Sequence, residues 1–321
     1  MFEPALGILR TLLTMVAVMG VGAFARRRGL VSLEATQVAR RLVAEVCFPA
    51  LCFQGLAEMD RRELSSGLAV VVLGFVTLAL AGCVGLALGR FATRPRASAF
   101  AIAIGNWIFF PLPIAKLLFG GEGVHVVLLF NAGAQVFLWT FGLAMLGGSA
   151  GATGTGPSRA LKNPGLWATA AGLLAAFAWP KAAHVPVLSD TLTLLGAMTV
   201  PLAALSIGAS LVGAGEATSA LHSRPSSAAS RDVWIVGLGR LVVAPALTFA
   251  LALFLVRAFG FELPRATEIT VLLIAAMPVS LTAGTLVSQE DAPLAARTIL
   301  VTTLFSAVTV PAMHALISKA F

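Results

Sequence analysis

Apolar stretches long enough to cross a hydrocarbon core of ~30 Å recur from one end of this sequence to the other, and they constrain its fold more than any motif does. By length and apolar continuity, helices are expected at Leu6–Ala25, Val38–Leu56, Gly67–Leu88, Ala97–Phe119 and Val124–Leu146. A second set is expected at Pro164–Trp179, Thr191–Val212, Val233–Val256, Ile269–Val287 and Ala295–Ile317. Charged residues make up only 11% of the 321 residues and hydrophobic ones 58%, against roughly a quarter charged in a soluble domain. Mean hydropathy is +0.94. A soluble fold is excluded, and the reading is an all-α membrane protein of ten transmembrane helices.

A net charge of +8 raises nucleic acid as a partner, but the basic residues stand in short clusters between apolar spans, where they act as topology signals. No nucleic-acid partner is expected. The first span is not read as a secretory signal, because Glu3 precedes it and Arg26, Arg27 and Arg28 follow it, the reverse of a signal peptide's charge order. With the first loop cytoplasmic, that side collects Arg26, Arg27, Arg28, Arg40, Arg41, Arg90, Arg94, Arg96, Arg159, Lys162, Arg224, Arg231 and Arg297. The other side collects Arg61, Arg62, Lys181, Arg257, Arg265 and Lys319. Both termini are therefore expected outside the cytoplasm, in a multi-pass protein of the cell's inner (plasma) membrane.

The segment from Gly147 to Ser158, rich in small and polar residues, reads as a linker. It divides the chain into a first five-helix repeat at 1–147, a cytoplasmic linker at 148–162 and a second repeat at 163–321. Five helices per half is odd, so two halves of like fold must be inverted in the membrane. The prolines support an inverted 5+5 repeat. The second helix of each half carries Pro49 or Pro201, and the fourth carries Pro113 (with Pro111) or Pro278.

Proline inside a helix removes a hydrogen bond and frees backbone groups. In a membrane these persist only where buried in protein or lining a wet cavity. Breaks in helices 4 and 9 thus point to a central site, and converging half-helix N-termini there favour an anion. Around Pro111 and Pro113, the run Gly105-Asn106-Trp107 adds a carboxamide, which either binds a carboxylate or caps the broken helix. Asn131 and Gln135 lie four apart on one face of helix 5 and either bind substrate or join helices. Ser280, Thr282 and Thr285 follow Pro278, and Ser306 and Thr309 sit on helix 10; such hydroxyls more often bond back to their own helix.

Ionisable residues within spans are functional candidates. Glu45 either pairs with Arg41 or carries a proton. Arg240 either reaches the cytoplasmic surface or offsets substrate charge. Lys116, His314 and Arg10 are weaker candidates. Cys47, Cys52 and Cys83 fall in apolar segments and support neither disulfide nor metal site, and His125, His184, His222 and His314 lack companions at metal-ligand spacing. No nucleotide loop or catalytic motif is present, so no cofactor and no enzymatic activity is expected.

Several pieces in order resemble the prokaryotic form of the auxin efflux carrier family, whose broader architecture is like that of bile-acid sodium symporters. They are Gly105-Asn106 with Pro113 and Phe119-Gly120, Leu129-Phe130-Asn131 with Trp139-Thr140-Phe141-Gly142, Asn163-Pro164, Pro201-Leu202-Ala203 with Gly208-Ala209-Ser210-Leu211, and Met277-Pro278-Val279. Departures are Ile108 and Pro111 where further glycines are expected, and Gln135 where asparagine is common, so bulk replaces open backbone. The resemblance implies that helices 4 and 9 cross at Pro113 and Pro278 with substrate bound there. It also implies a scaffold of helices 1, 2, 6 and 7, dimerisation through it, and elevator-like movement of helices 3–5 and 8–10. The implied cargo is a small carboxylate, either a dicarboxylate such as malate or malonate or an aromatic acid such as auxin. Asn163 is separately expected to cap helix 6, with Pro164 in its first turn. The functional expectation is a secondary carrier of organic anions in contact with membrane lipid. Coupling stays open between a proton on Glu45, sodium on freed carbonyls and none, with proton coupling or none preferred. A non-transporting sensor with a carrier fold is the alternative.

Overall fold

A computed structural model describes residues 2–147, 163–179, 185–220, 227–260, 263–288 and 290–320. Most of the linker, with Arg159 and Lys162, lies outside these residues, as do His184, His222 and Arg224. Every long regular element among the described residues is a helix. Helix α1 spans Phe2–Arg27. Helix α2 starts at Leu33–Leu42, passes through a π-helical turn at Val43–Cys47 and continues as Phe48–Ala57. Helix α3 is Arg61–Gly89 and α4 is the short Pro95–Ala103. Helix α5 covers Pro111–Phe137 and runs on through a π-helical turn at Leu138–Gly142 to Leu143–Leu146.

After the linker come α6 (Pro164–Ala178), α7 (Pro186–Ala197) and α8 (Thr199–Ala220). Helix α9 joins Ser227–Leu238, a π-helical turn at Gly239–Val243 and Ala244–Phe259. Helices α10 (Arg265–Ala275), α11 (Leu281–Leu286) and α12 (Ala292–Ala320) complete the chain. Six helical stretches among the described residues are long and apolar enough to cross a membrane, and the apolar Pro164–Ala178 is shorter. The chain is an integral membrane protein.

The prolines explain where helices yield. Pro49 and Pro245 each follow, after one intervening residue, a π-helical turn whose wider winding absorbs the missing N–H and the ring clash. Pro111 opens α5 in the first turn, where no N–H is needed. Helix α5 is not straight. Gly120 takes φ 60°, ψ −133°, and a Cβ placed on Gly123 would lie 2.4 Å from the carbonyl oxygen of Ala115. Eight residues of straight helix would separate those positions by ~12 Å, so the chain folds back at Gly120. The piece before it completes the interrupted stretch begun by α4, and the piece after it is a helix of its own, as the boundaries at Phe119 and Val124 anticipated.

Two groups of helices pack among themselves. Helix α1 lies along α8, and the second part of α2 lies along α6 and α7; helix α3 lies along α4 and α5, and α9, α10 and α12 share that second group. Lipid tails are as apolar as leucine, so such packing rests on close contact and small residues. A Cβ on Gly208 would sit 1.8 Å from the Met19 carbonyl oxygen and one on Gly22 2.1 Å from that of Leu205. The same reciprocity joins Gly133 to Val71 (1.8 Å) and Gly74 to Phe130 (2.3 Å).

The two interrupted stretches meet in the protein interior. Gly105 and Val279 form an isolated antiparallel bridge, in which the Asn106 N–H donates to the Pro278 carbonyl at 2.8 Å and the Ser280 N–H to that of Ile104 at 2.9 Å. Backbone groups freed by one break are thus satisfied by the other, as burial in an apolar surrounding requires. The meeting point lies at Gly105 and Val279, upstream of Pro113. Pro113 instead sits in the first turn of α5.

Candidate functional site

Beside the meeting point lies a cavity of about 300 Å³. The breaks contribute Asn106, Trp107, Ile108, Phe109, Ser280, Leu281 and Thr282. Helix α5 adds Asn131, Gln135, Leu138 and Trp139. Helix α2 adds Arg40, Val43, Ala44 and Phe48, and Asn163, Ala203 and Ile207 complete the wall. Four of the expected site residues, Asn106, Asn131, Gln135 and Ser280, are brought together here. Pro111, Pro113 and Pro278 are not in the lining; they shape the backbone behind it.

The hydrogen bonds fix which end of each carboxamide is engaged. The Phe109 N–H donates to Asn106 Oδ1 at 3.0 Å, the indole N–H of Trp107 to Asn131 Oδ1 at 3.0 Å, and that of Trp139 to Gln135 Oε1 at 2.8 Å. The Gly165 N–H donates to Asn163 Oδ1 at 2.8 Å, so Asn163 caps α6 as expected. Each partner can only donate, so the acceptor must be the amide oxygen and what remains is the NH₂ group. Gln135 turns its NH₂ towards Asn131 Oδ1 at 3.4 Å. Asn131 is 1% exposed, and its Nδ2 is buried with no partner among the described residues. Ser280 Oγ accepts from the Thr282 N–H at 3.2 Å, leaving its hydroxyl proton to donate.

Arg40 is the only charged side chain in the lining among the described residues, and it has no hydrogen-bond or ion-pair partner among them. The wall is therefore rich in donors, carries a single positive charge and is otherwise apolar, with Phe48, Trp107, Phe109 and Trp139 as its aromatic members. An acceptor-only group such as a carboxylate complements such a lining.

Other candidates stand elsewhere. Glu45 lies outside the cavity, half-exposed, and its Oε1 accepts from Arg41 Nε at 2.9 Å. Arg240 neither reaches a surface nor faces the cavity. It is 2% exposed and donates to the carbonyls of Met277 (2.8 Å), Ala275 (3.0 Å), Ile102 (3.3 Å) and Ile274 (3.4 Å). Lys116 and Arg10 are exposed. His314 is buried with Nδ1 unpartnered among the described residues. Ser306 bonds back to Thr303 of its own helix, as such hydroxyls commonly do. His125 pairs with Glu63 at 2.9 Å. Cys47 and Cys52 are buried and Cys83 exposed, all unpaired.

Sequence reasoning missed Arg40 and Asn163 as lining residues and the two indoles as orienting groups. The adjacent Arg40-Arg41 pair looked like a topology signal, and Asn163-Pro164 like a helix start. A signal for Arg40 was nonetheless present, since it lies nine residues before Pro49 on the same helix, inside the expected span.

Residues 8–155 match the family described as membrane transport protein. Over 313 residues the chain is 23% identical to an uncharacterized transporter of Methanothermobacter thermautotrophicus, covering 95% of this chain and 97% of that protein. Over its N-terminal residues 8–155 the chain is thus similar to the membrane transport protein family, that of the auxin efflux carriers, a similarity to transporters and not to enzymes.

Proposed function

We propose that this transporter carries small organic anions, with the cavity beside the two breaks as its substrate site. The observation that carries the reading is the donor-rich lining: four carboxamides whose oxygens are already engaged, and Arg40 as a lone positive charge. Asn106, Asn131, Gln135 and Ser280 bind the carboxylate together with Arg40. Pro111, Pro113 and Pro278 hold the backbone open around it. Of the two cargo classes, a dicarboxylate such as malate or malonate would bring two negative charges to one arginine. An aromatic or otherwise apolar monocarboxylate places one charge on Arg40 and its body on Phe48, Trp107, Phe109 and Trp139, and is favoured.

The architecture we infer is ten transmembrane helices in an inverted 5+5 repeat, residues 1–147 and 163–321, with helices 4 (α4 and the start of α5) and 9 (α10 and α11) crossing at Gly105 and Val279. The packing of α1, α2, α6, α7 and α8 among themselves supports a scaffold of helices 1, 2, 6 and 7, against which helices 3–5 and 8–10 move as an elevator. Exposed Trp167, Leu174 and Phe177 on α6 supply an apolar face for a homodimer or lipid. The arginine distribution supports a topology with both termini outside the cytoplasm. Arg40 and Asn163 then mark the cytoplasmic end of the cavity.

Equilibrium binding of indole-3-acetate, its amide and malonate to the purified protein tests the site. Binding of the acid, weaker binding of malonate and none of the amide is expected. Equal affinity for acid and amide would remove anion recognition from this cavity.

A further inference from the structure

Arg240 is an intramembrane cation with no carboxylate partner among the described residues, held instead by four backbone carbonyls. Burying a lone charge is costly unless something compensates it. The compensation lies in where the carbonyls come from. Ile102 belongs to the last turn of α4, and Ile274 and Ala275 to the last turn of α10, with Met277 just beyond it. Each helix C-terminus carries about half a negative charge, so two of them together roughly balance one guanidinium.

The fit is also steric. A Cβ on Gly105 would lie 2.2 Å from Arg240 Nη2 and 2.3 Å from Cζ, so the guanidinium rests directly on the backbone of the meeting point. Helix α9 grips α4 at its other end as well. Asp232, 1% exposed, accepts from the N–H groups of Thr93 (2.9 Å) and Arg94 (3.1 Å) and from the Thr93 hydroxyl. The eight residues from Asp232 to Arg240 rise ~12 Å along α9, close to the length of the nine-residue α4. A carboxylate thus meets the positive end of α4 and a guanidinium its negative end.

Unwound carbonyls and half-helix C-termini are the groups with which secondary transporters coordinate a coupling cation. We infer that Arg240 is a built-in counter-cation: its guanidinium fills the place between the C-termini of α4 and α10 where a monovalent cation would otherwise bind, so this carrier needs no sodium at that point. The inference rests on the carrier reading for its meaning in transport, but the occupancy itself is testable without substrate. Asn131, Gln135 and Arg40 then face substrate while Arg240 positions the crossing behind them.

The test is thermal unfolding of purified protein, without substrate, in sodium, potassium, lithium and choline chloride at equal ionic strength, with Arg240→Ala and Arg240→Lys alongside. Wild type and Arg240→Lys are expected to show one midpoint in all four salts. Arg240→Ala is expected to unfold earlier in choline and to regain stability with sodium or millimolar guanidinium. Counterflow by Arg240→Ala should rise about tenfold or more when guanidinium is added, the factor expected for recovering hydrogen bonds to a charged group. A wild type stabilised or activated specifically by sodium would overturn the inference. So would an Arg240→Ala protein equal to wild type in choline and indifferent to every cation. If Arg240→Ala does not fold, the wild-type and Arg240→Lys salt series decides alone. Cation-indifferent stability with no cargo moved would sink the carrier reading while leaving the Arg240 assignment standing.

Discussion

Replacing Asn131 by leucine should separate binding from stability. In the substrate-free protein the asparagine gives and takes in nearly equal measure. Its Oδ1 accepts the Trp107 indole N–H at 3.0 Å, and losing that acceptor leaves a buried donor unpaired at a cost of about 1–3 kcal/mol. Its Nδ2 is itself buried and unpartnered among the described residues, and deleting it recovers a penalty of the same size, about 1–3 kcal/mol. Net stability should therefore change by no more than ~2 kcal/mol. Binding should not be spared. A hydrogen bond from Nδ2 to a carboxylate is charge-assisted and contributes about 1.5–3 kcal/mol, so affinity should fall ~10- to 150-fold. Ligand-induced stabilisation reads both quantities at once. At a ligand concentration one hundred times the wild-type Kd, the wild type gains ~2.7 kcal/mol, whereas a variant one hundred times weaker gains only ~0.4 kcal/mol. A folded Asn131→Leu protein with wild-type ligand stabilisation would refute the assignment of Nδ2 to the substrate.

Further outcomes follow from the same geometry. Trp139→Phe removes the donor that fixes Gln135 Oε1 without removing charge, and should weaken anion binding ~2- to 10-fold, the effect of one lost neutral hydrogen bond, measured by equilibrium dialysis. Arg40→Gln should raise the KM for anion counterflow, with Arg40→Lys restoring part of it; equal KM values in all three proteins would remove Arg40 from the site. Glu45→Gln should leave the pH profile of transport unchanged, since Glu45 pairs with Arg41 away from the cavity; a flattened profile would return it as the proton carrier. Gly208→Val should destabilise the protein, because a Cβ would fall 1.8 Å from the Met19 carbonyl oxygen and force α1 and α8 apart, which thermal unfolding would detect.

Much of the fold was legible because membranes write it in lengths and breaks. Pro111 with Pro113, and Pro278, announced interrupted helices, and apolar runs separated at Phe119 and Val124 marked the reversal at Gly120. The carboxamides at positions 106, 131 and 135 were visible because polar groups in apolar spans need a reason to be there. What was hidden is what depends on residues far apart in sequence. The Trp107 to Asn131 bond joins a break to another helix, and Arg240 reaches carbonyls contributed by two other helices. A lone arginine in a span reads the same whether it snorkels or seals two helix ends; only the positions of Ile102 and Met277 separate the cases. Arg40 was obscured for a related reason, since Arg40 and Arg41 stand side by side, yet one lines the cavity and the other pairs with Glu45.

The most direct test of anion transport through this cavity is counterflow in proteoliposomes, comparing labelled indole-3-acetate, labelled malonate and the neutral indole-3-ethanol for wild type and Asn131→Leu. Accumulation of indole-3-acetate above malonate, no protein-dependent accumulation of the alcohol, and loss of the signal in the variant are expected. Protein-dependent accumulation of the alcohol equal to that of the acid, or an unchanged signal in folded Asn131→Leu protein, would contradict anion transport through this cavity.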